Sequence, residues 1–457
     1  MEEVKRGKKQ EARDLNFDEE YYTSEEFQNI LESYETSMNE GNAPFMDADD
    51  LVDIADYYNW QGEYDKADET VEHALSLYPD ATLPNVYKAR QALQNQDFEG
   101  ARQYADSIVH QDDPDYHYLM AEILIAEGRI DESDRYLRDY ALTVDDDEYQ
   151  DFIKDCANLY VDYGYSDKAY EWMIRLKGDD SDDFKELMAR TLFGLGKYQD
   201  SERLFNELID RNPFSGLYWN ALASSQYMRE NYNDSITSSE YAIAIDPQDP
   251  EALLIKANSL QQLGNEKEAL KYYERYTEVT DADDPQLPQI FTEMAFCYSD
   301  MEQHDKAIEM LDRISQPLVD EDEMLVLRGH LLLCADKVKE AEAAFRQAII
   351  QSDSSPLVLL RIIVSLYDNR YLEASYKMFQ KFFSIVDKLD AEFHSGYAYM
   401  ALVCYDMKKT DEFMKYLRLA VEQNPQEAQA VLNSLFPENM PVNEYVKYME
   451  GVKEDRT

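Results

Sequence analysis

Hydrophobic positions recur along most of this chain in pairs of amphipathic stretches. Each stretch is about a dozen residues long, with apolar residues three and four positions apart, and this spacing predicts α-helices. Two stretches and a short link form a unit of about thirty-four residues, which recurs from residue 48 to residue 427. A repeat of this kind predicts a tandem array in which each helix pair packs on its neighbours. The most complete copy carries Trp219, Leu222, Ala223, Tyr232, Ala242 and Pro247.

The residues that recur in each unit have physical roles in helix-pair packing. An Ala or Gly midway along the first stretch, such as Ala89, lets two helices approach closely. A Gly in the link, such as Gly62, suits a turn that needs a positive φ, and repeats two, eight and ten lack this Gly. A closing Pro such as Pro79 ends the second helix. The tenth unit is the weakest copy and is marked by Tyr371 and Ala374.

The segments that flank the array predict caps. Thr23 and Glu26 have the spacing of a capping box, and an apolar stripe follows, so we expect an N-terminal capping helix within residues 21–47. Another helical stripe continues after the array, which predicts C-terminal capping helices within residues 428–457. Residues 1–20 are highly charged and are expected to form a disordered N-terminus.

These residues and spacings resemble the tetratricopeptide repeat (TPR) family over residues 48–427. The resemblance implies an all-α fold, a right-handed α-α superhelix of about eleven helix-turn-helix repeats. The chain departs from the family pattern in two ways. Only repeat six has the family's Trp, and short insertions near residues 284–287 and 384–392 predict local bends.

The charge of the chain narrows the classes of partner. The formal net charge is −51, from 95 acidic and 44 basic residues. Non-specific nucleic-acid binding needs a cationic face, and acidic membrane surfaces would repel this chain. The acidic charge either serves solubility alone or attracts basic partners, and both interpretations stay open.

The sequence predicts a cytoplasmic protein. Residues 1–15 contain no apolar segment of the kind found in signal peptides, so no signal peptide is expected. No stretch approaches the eighteen or so apolar residues that a membrane-spanning helix needs. The four cysteines lie far apart without a CxxC pair, which argues against a disulfide framework and favours a reducing compartment.

No catalytic, cofactor or metal site is predicted. His330 and Cys334 are four residues apart on a predicted helix, but two ligands do not make a metal site. Gly194, Gly196 and Lys197 lack the full phosphate-loop motif, and both glycines fall where the fifth repeat needs them. HExxH and GxSxG motifs are absent from the sequence. We therefore expect a non-enzymatic protein without a cofactor.

The resemblance implies that the first helix of each unit lines a concave face that binds an extended peptide or partner segment. Asn side chains on that face can hold a peptide backbone through both donor and acceptor groups, and Arg or Lys can grip a carboxylate. The alternative is that these are ordinary exposed or self-packed helix residues. Numbering the repeats predicts partner-binding residues at Arg90, Tyr118, Lys154, Asn158, Arg190, Asn220, Tyr227 and Asn258.

Farther along the chain the equivalent positions turn apolar, which predicts a second, apolar binding zone. These positions are Val326, Leu333, Leu359, Ile363 and Leu402.

One subfamily of such repeats clamps the C-terminal carboxylate of heat-shock chaperones. Lys154 and Asn158 match the first Lys and Asn of that clamp. Its other positions hold Leu187, Leu217 and Ala221 here, so we exclude this clamp.

The function that the sequence favours is a protein-protein interaction scaffold or adaptor that binds partner segments on the concave face of the superhelix. Two alternatives stay open. One is an assembly chaperone for basic proteins, whose affinity would collapse as salt rises. The other is a structural or regulatory subunit of a larger complex, docked by the apolar C-terminal units. The sequence leaves the identity of the partner and the oligomeric state open.

Overall fold

The computed structural model describes residues 21–40, 44–176, 178–282, 284–314, 321–389 and 396–454. Every regular element within these residues is a helix, and the chain divides into two compact units after Asp281. This confirms the prediction of an all-α array of helix-turn-helix repeats. The charged segment 1–20 lies outside the described residues.

In the part of the first unit that the structure describes, one leading helix is followed by seven helix pairs. The two helices of every pair pack against each other, and most second helices also pack on the next pair. The leading helix is α1 (Glu25–Asn39), and the pairs are α2 (Ala48–Trp60) with α3 (Tyr64–Leu77), α4 (Thr82–Gln94) with α5 (Phe98–Ser107), α6 (Pro114–Ala126) with α7 (Ile130–Tyr140), α8 (Tyr149–Asp162) with α9 (Ser166–Met173), α10 (Asp182–Gly194) with α11 (Tyr198–Arg211), α12 (Gly216–Met228) with α13 (Tyr232–Ile245), and α14 (Pro250–Gln262) with α15 (Glu266–Val279).

Among its described residues, the second unit contains four helix pairs followed by two further helices. Short 3-10 turns at Asn433–Leu435 and Val442–Glu444 lie between those last two helices. The pairs are α16 (Leu287–Asp300) with α17 (His304–Asp312), α18 (Glu321–Cys334) with α19 (Val338–Gln351), α20 (Pro356–Asp368) with α21 (Leu372–Leu389), and α22 (Tyr397–Asp406) with α23 (Thr410–Gln423), and the last helices are α24 (Pro425–Leu432) and α25 (Tyr445–Glu454).

The helix α1 packs its apolar stripe on the first pair. Phe27 and Leu31 are buried in a cluster with Leu51 of α2. The N-cap residue is Ser24, whose Oγ accepts a hydrogen bond from the backbone N–H of Phe27 at 3.2 Å. The prediction that Thr23 begins the capping box was therefore wrong by one residue, because Ser24 is the residue with extended backbone next to the helix.

A small residue is buried midway along the first helix of almost every pair. Nine of these positions hold an Ala with no exposed surface, and in α18 the position is Gly329. Removing the side chain at this point lets the backbones of paired helices approach closely. The nine residues are Ala55, Ala89, Ala121, Ala157, Ala189, Ala223, Ala257, Ala295 and Ala401.

The facing position in the second helix is also small in every pair except the last, where it is Phe413, and in several repeats it is a buried Ser. The hydroxyls of Ser133 and Ser235 donate to main-chain carbonyls of the paired first helix at 3.0 and 2.9 Å. In repeat ten this residue is Ser375, whereas Ala374 is exposed, so the prediction of Ala374 as a packing residue was wrong. A hydroxyl can replace a methyl here because the neighbouring carbonyl satisfies it.

Every helix pair turns through one residue in the left-handed region. Five pairs use the predicted Gly, with φ between 71° and 78°. The other six use a non-glycine residue at the same place, with φ between 58° and 64°. The turn geometry is therefore constant where the sequence lacks Gly, which is the case in repeats six, nine and eleven as well as in the expected repeats two, eight and ten. The non-glycine residues are Gln96, Glu230, Glu302, Asp336, Arg370 and Lys408.

We predict that Gly329→Ala destabilises the second unit. A Cβ at this position would overlap the buried ring of Phe345 on α19. Overpacking of this kind costs about 1–3 kcal/mol of unfolding free energy, which denaturant titration followed by circular dichroism would measure. The control is Gly451→Ala on α25, where an added Cβ meets nothing within 4 Å. Equal stability of the two variants would contradict the packing argument.

Candidate partner-binding face

All eight residues predicted to bind a partner lie on first helices of the first unit. We call the surface formed by α2, α4, α6, α8, α10, α12 and α14 the first-helix face. Arg90 is exposed, Asn220 is buried and the other six are partly exposed. By helix, they are Arg90 on α4, Tyr118 on α6, Lys154 and Asn158 on α8, Arg190 on α10, Asn220 and Tyr227 on α12, and Asn258 on α14.

Arg90 belongs to a hydrogen-bonded group that spans three repeats. Its Nε donates to Oε2 of Glu122 on α6 at 2.9 Å, and the Tyr163 hydroxyl donates to Oε1 of the same carboxylate at 3.0 Å. The Glu122 charge raises the pKa of Arg90, and burial together with Glu122 raises the pKa of Tyr163. Both groups therefore stay protonated donors. About half of the Arg90 side chain remains exposed to a partner.

The next two predicted residues are also engaged with carboxylates. The Tyr118 hydroxyl donates to Asp155 on α8 at 2.8 Å, and Lys154 lies 3.0 Å from Asp151 on its own helix. Burial and the neighbouring Asp155 raise the pKa of Tyr118, which keeps its hydroxyl a donor. These side chains are held in place, and the face that they form is rich in oxygen acceptors.

The structure brings Asn158 and Arg190 into direct contact. Arg190 donates through Nη1 to the Asn158 amide oxygen at 2.9 Å and through Nη2 to Asp162 at 2.6 Å. The Asn158 amide in turn donates to Asp162 at 3.1 Å. The Arg190 Nε–H is buried and has no hydrogen-bond partner in the described part of the chain. An unpaired buried donor costs free energy, so Arg190 retains hydrogen-bonding capacity for an added group.

Asn220 and Asn258 are bound within the array as well. The Asn220 amide donates to Asp249 at 2.6 Å, while its Oδ1 is buried without a partner among the described residues. The Asn258 oxygen accepts the hydroxyl of Tyr273 at 2.7 Å. Tyr227 packs edge-on against Tyr232, with ring centroids 5.5 Å apart.

Two cavities open along the first-helix face. One, of about 310 Å³, lies along α2 and α4, and its lining includes Asp53, Asp56, Asn59, Tyr87 and Arg90. The other, of about 300 Å³, is lined by residues of α10 and α12, which include Glu186, Arg190, Phe193, Leu217, Ala221 and Ser224. Each cavity has room for one or a few side chains of a bound segment.

Carboxylates on this face are held in unfavourable surroundings. Burial and the charges of Asp113 and Asp49 raise the pKa of Asp115, while Arg90 opposes this shift. Burial and other carboxylates, including Asp115, also raise the pKa of Asp155. The proximity of like charges across α2, α6 and α8 makes this end of the face attractive to cations.

The repeat numbering did not predict three residues of the hydrogen-bonded groups on this face, Asp162, Tyr163 and Tyr218. The Tyr218 hydroxyl donates to Glu186 at 3.0 Å. Asp162 and Tyr163 stand at the end of α8, past the positions that the repeat numbering singles out. Each of these residues forms a hydrogen bond with a partner about one repeat away along the chain. Polar residues that recur at that separation are therefore the signal by which the sequence could have indicated them.

The apolar positions of the second unit do not form a free surface. Val326, Leu333, Leu359 and Ile363 are all buried, with at most 7% of each residue exposed, and only Leu402 is partly exposed. Their side chains fill the core of their own repeats. The predicted apolar binding zone is therefore wrong at these four positions. Core and surface positions of a helix are only one residue apart, and the repeat numbering selected core positions here.

His330 and Cys334 share a face of α18, as their spacing predicted. The Cys334 thiol donates to the Asn369 amide oxygen at 3.3 Å, and its Sγ lies 3.6 Å from Nε2 of His330. Burial raises the pKa of Cys334 and lowers the pKa of His330, so both side chains favour the uncharged form. A nucleophilic or metal-binding cysteine needs the thiolate, so the geometry supports a packing role.

The described residues contain no cluster of three or more His, Cys, Asp or Glu side chains arranged to hold a metal ion. None of their helices combines the length and the apolar character needed to cross a membrane.

Comparison with known proteins gives one family match. The tetratricopeptide repeat family model matches residues 187–250 and 221–288. A search of curated proteins finds no match.

Solved structures that resemble the chain are remote. The C-terminal part of a TPR repeat-containing protein from Cytophaga hutchinsonii is 13% identical, with 54% of this chain and 98% of that chain covered and a TM-score of 0.41. The Cut9–Hcn1 hetero-tetramer of the APC/C is 14% identical, with 94% of both chains covered and a TM-score of 0.34. YrrB, described as a TPR protein with an unusual peptide-binding site, is 16% identical, with 45% of this chain and 97% of that chain covered and a TM-score of 0.34.

The helix pairs within the matched residues and those outside them share two features, a left-handed turn in every pair and a small buried residue in the first helix of most pairs. Residues 187–288 therefore match the tetratricopeptide repeat family, and the helix pairs on either side of them have the same helix-turn-helix architecture.

Proposed function

We propose that this protein is a non-enzymatic interaction scaffold, and that the first-helix face of the first unit binds an extended segment of a partner protein. The observation that carries the proposal is Arg190, whose buried Nε–H lacks a partner beside a cavity of about 300 Å³. A main-chain carbonyl or a side-chain oxygen of a bound segment would satisfy this donor. The neighbouring Asn158 offers both an acceptor and a donor amide.

The bonds that hold these side chains also support binding. Arg190 is tied to Asn158 and Asp162, and Arg90 to Glu122, across consecutive repeats. Side chains that are already ordered lose little conformational entropy when a ligand arrives. A partner segment would therefore meet a preorganised row of polar groups, with cavities for its own side chains.

The charge of the face favours a basic segment. Asp115 and Asp155 have raised pKa values because burial and neighbouring carboxylates oppose their ionisation. Lys or Arg residues of a partner would relieve this repulsion. The net charge of −51 would also speed the encounter with a basic partner.

The same charge favours a second candidate, an assembly chaperone for basic proteins. A chaperone of that kind would bind many basic proteins through the overall field, so its affinity would depend strongly on salt and weakly on Arg190.

The four cysteines are free, and three of them are buried, which fits a reducing compartment such as the cytoplasm.

We predict that replacing Asn158 and Arg190 with alanine weakens binding of peptides selected from a displayed random library against the full chain. Loss of two groups on the first-helix face should lower the affinity at least about tenfold, or 1.4 kcal/mol, measured by fluorescence anisotropy. Far-ultraviolet circular dichroism should be unchanged.

The matched control replaces Asn206 and Arg203, an exposed Asn–Arg pair on α11, with alanine. It removes the same two residue types from a second helix and should leave the affinity unchanged. If both double variants bind alike, the first-helix site is ruled out. If binding vanishes for every variant when salt is raised from about 0.1 M to about 1 M, the overall field explains it and the chaperone reading is favoured.

We also predict that Asp115→Asn stabilises the free protein at neutral pH. The pKa of Asp115 is higher in the folded than in the unfolded protein, so the carboxyl ionises more readily in the unfolded state. The free energy of unfolding therefore falls as pH rises from the unfolded pKa through the folded pKa. The gain should disappear at a pH below the unfolded pKa, about 3.9, where the carboxyl is protonated in both states. Chemical denaturation across this pH range measures the effect.

The control is Asp65→Asn, at the second residue of α3, which is exposed and loses the same helix-terminal charge. Asp115→Asn should exceed Asp65→Asn in unfolding free energy at neutral pH. No difference between them would show that Asp115 ionises without strain and would remove this support for a basic partner.

A further inference from the structure

A cluster of exposed aromatic and aliphatic side chains lies at repeat six, and the first-helix face does not use it. We call it the Trp219 patch, and it consists of Phe214, Trp219, Tyr241 and Ile245. The Trp219 indole N–H donates to the carbonyl of Pro213 at 2.9 Å, which holds the ring against the loop that carries Phe214. The Trp219 and Tyr241 rings stack with centroids 4.4 Å apart.

The patch is well exposed. Phe214 is 81% exposed, Tyr241 52% and Ile245 38%. Leu222, Ala223 and Ala242 already form the buried core of this repeat, so the fold does not require these side chains at the surface. Single exposed apolar residues are ordinary, but here three of them come from one loop and the helix α13, and the partly exposed Trp219 stacks beside them from α12. Trp and Tyr are also the residues that contribute most to binding energy at protein interfaces.

The surroundings of the patch are acidic. Asp210 and Asp246 are exposed and lie next to it in the chain. Two arginines come close to these residues, and both are engaged within the chain: the Arg211 guanidinium with Asp180 and Asp182, and the Arg275 guanidinium with the carbonyl of Pro247 at 2.7 Å. A partner with positive charge at its rim would complement Asp210 and Asp246.

The chain itself shows how its aromatic rings meet cations. The Arg175 guanidinium lies 3.8 Å from the centroid of the Trp172 ring, and the Lys256 ammonium lies 4.2 Å from that of Tyr272. A stacked Trp–Tyr pair at an acidic surface offers the same interaction to an incoming arginine.

We propose that the Trp219 patch docks a segment of a partner protein in which arginine alternates with large apolar side chains. The apolar side chains cover Phe214 and Ile245, and the arginine stacks on the exposed aromatic surface beside Asp210 and Asp246. A second copy of this chain does not fit this description, because a net charge of −51 opposes self-association. The proposal does not depend on binding at the first-helix face.

Tryptophan fluorescence of the Trp60→Phe chain tests the proposal. The chain has three tryptophans, and Trp172 is fully buried, so the partly exposed Trp219 becomes the tryptophan that a ligand can reach. The probe is a short peptide of alternating arginine and leucine. The comparison peptides replace leucine with serine, which keeps only the charge, or arginine with glutamine, which keeps only the apolar side chains.

We expect the arginine–leucine peptide to change Trp219 emission and to bind at least tenfold more tightly than either comparison peptide. Phe214→Ser with Tyr241→Ser should weaken that binding at least tenfold. The matched control, Val109→Ser with Leu142→Ser, removes two other exposed apolar side chains, 63% and 85% exposed, and should bind like the parent.

Equal binding by the arginine–serine peptide, or an unchanged affinity in the Phe214 and Tyr241 variant, would overturn the proposal. Self-association that this variant abolishes, measured by sedimentation velocity, would identify a second copy as the occupant and would overturn it as well. The Asn158 and Arg190 variant should bind the peptide normally. A loss of binding there would instead assign the peptide to the first-helix face, so failure of one site is distinguishable from failure of the other.

Discussion

Both units depend on the close approach of two helices at a small buried residue. Where the first helix presents Ala or Gly, the backbones can approach until side chains from the flanking turns interdigitate. Gly329 shows how tight this approach is, because even one added carbon would overlap Phe345. Repeat ten is an exception, since Ile363 occupies the equivalent position without exposed surface and its carbonyl accepts the Ser375 hydroxyl at 3.2 Å. The helix pair therefore tolerates a larger residue where the facing residue is small.

Polar side chains link consecutive pairs in the first unit where apolar packing ends. The links join Arg90 to Glu122, Tyr118 to Asp155 and Arg190 to Asp162, each across about one repeat of sequence. These pairs are partly exposed, so each one adds little to stability by itself. Their main effect is to fix side-chain positions along one face. A partner would bind to groups whose geometry the array has already set.

Periodicity was sufficient to predict the helices, their pairing and most buried Ala residues, because these follow from a spacing that repeats along the chain. The details that failed depend on one residue's surroundings. Ser24 rather than Thr23 caps α1, and Ser375 rather than Ala374 is buried in repeat ten. Turns without Gly could not be recognised, because residues such as Arg370 adopt the left-handed conformation only when the flanking helices impose it.

The candidate site was predictable in position but not in its contacts. Arg190 and Asn158 were both expected on the first-helix face, yet their mutual hydrogen bond depends on how two neighbouring repeats are rotated. Asp162 completes the group from the last turn of α8, where repeat numbering assigns no role. The prediction of an apolar binding zone in the second unit was wrong in position itself. Ile363, for example, occupies a position that holds a small buried residue in the other repeats.

The Arg190 group has a further consequence for how the first unit unfolds. In a tandem array, cooperativity comes from the interfaces between neighbouring repeats. Arg190 lies on α10, and its guanidinium donates hydrogen bonds to Asn158 and Asp162 on α8. It therefore contributes to the interface between repeats four and five. A ligand that drew the Arg190 side chain away from Asp162 would weaken that interface while adding its own contacts across it. Binding of a ligand to the face would then change how many repeats unfold together. Hydrogen exchange at α8 and α10 would report both the binding and the cooperative unfolding.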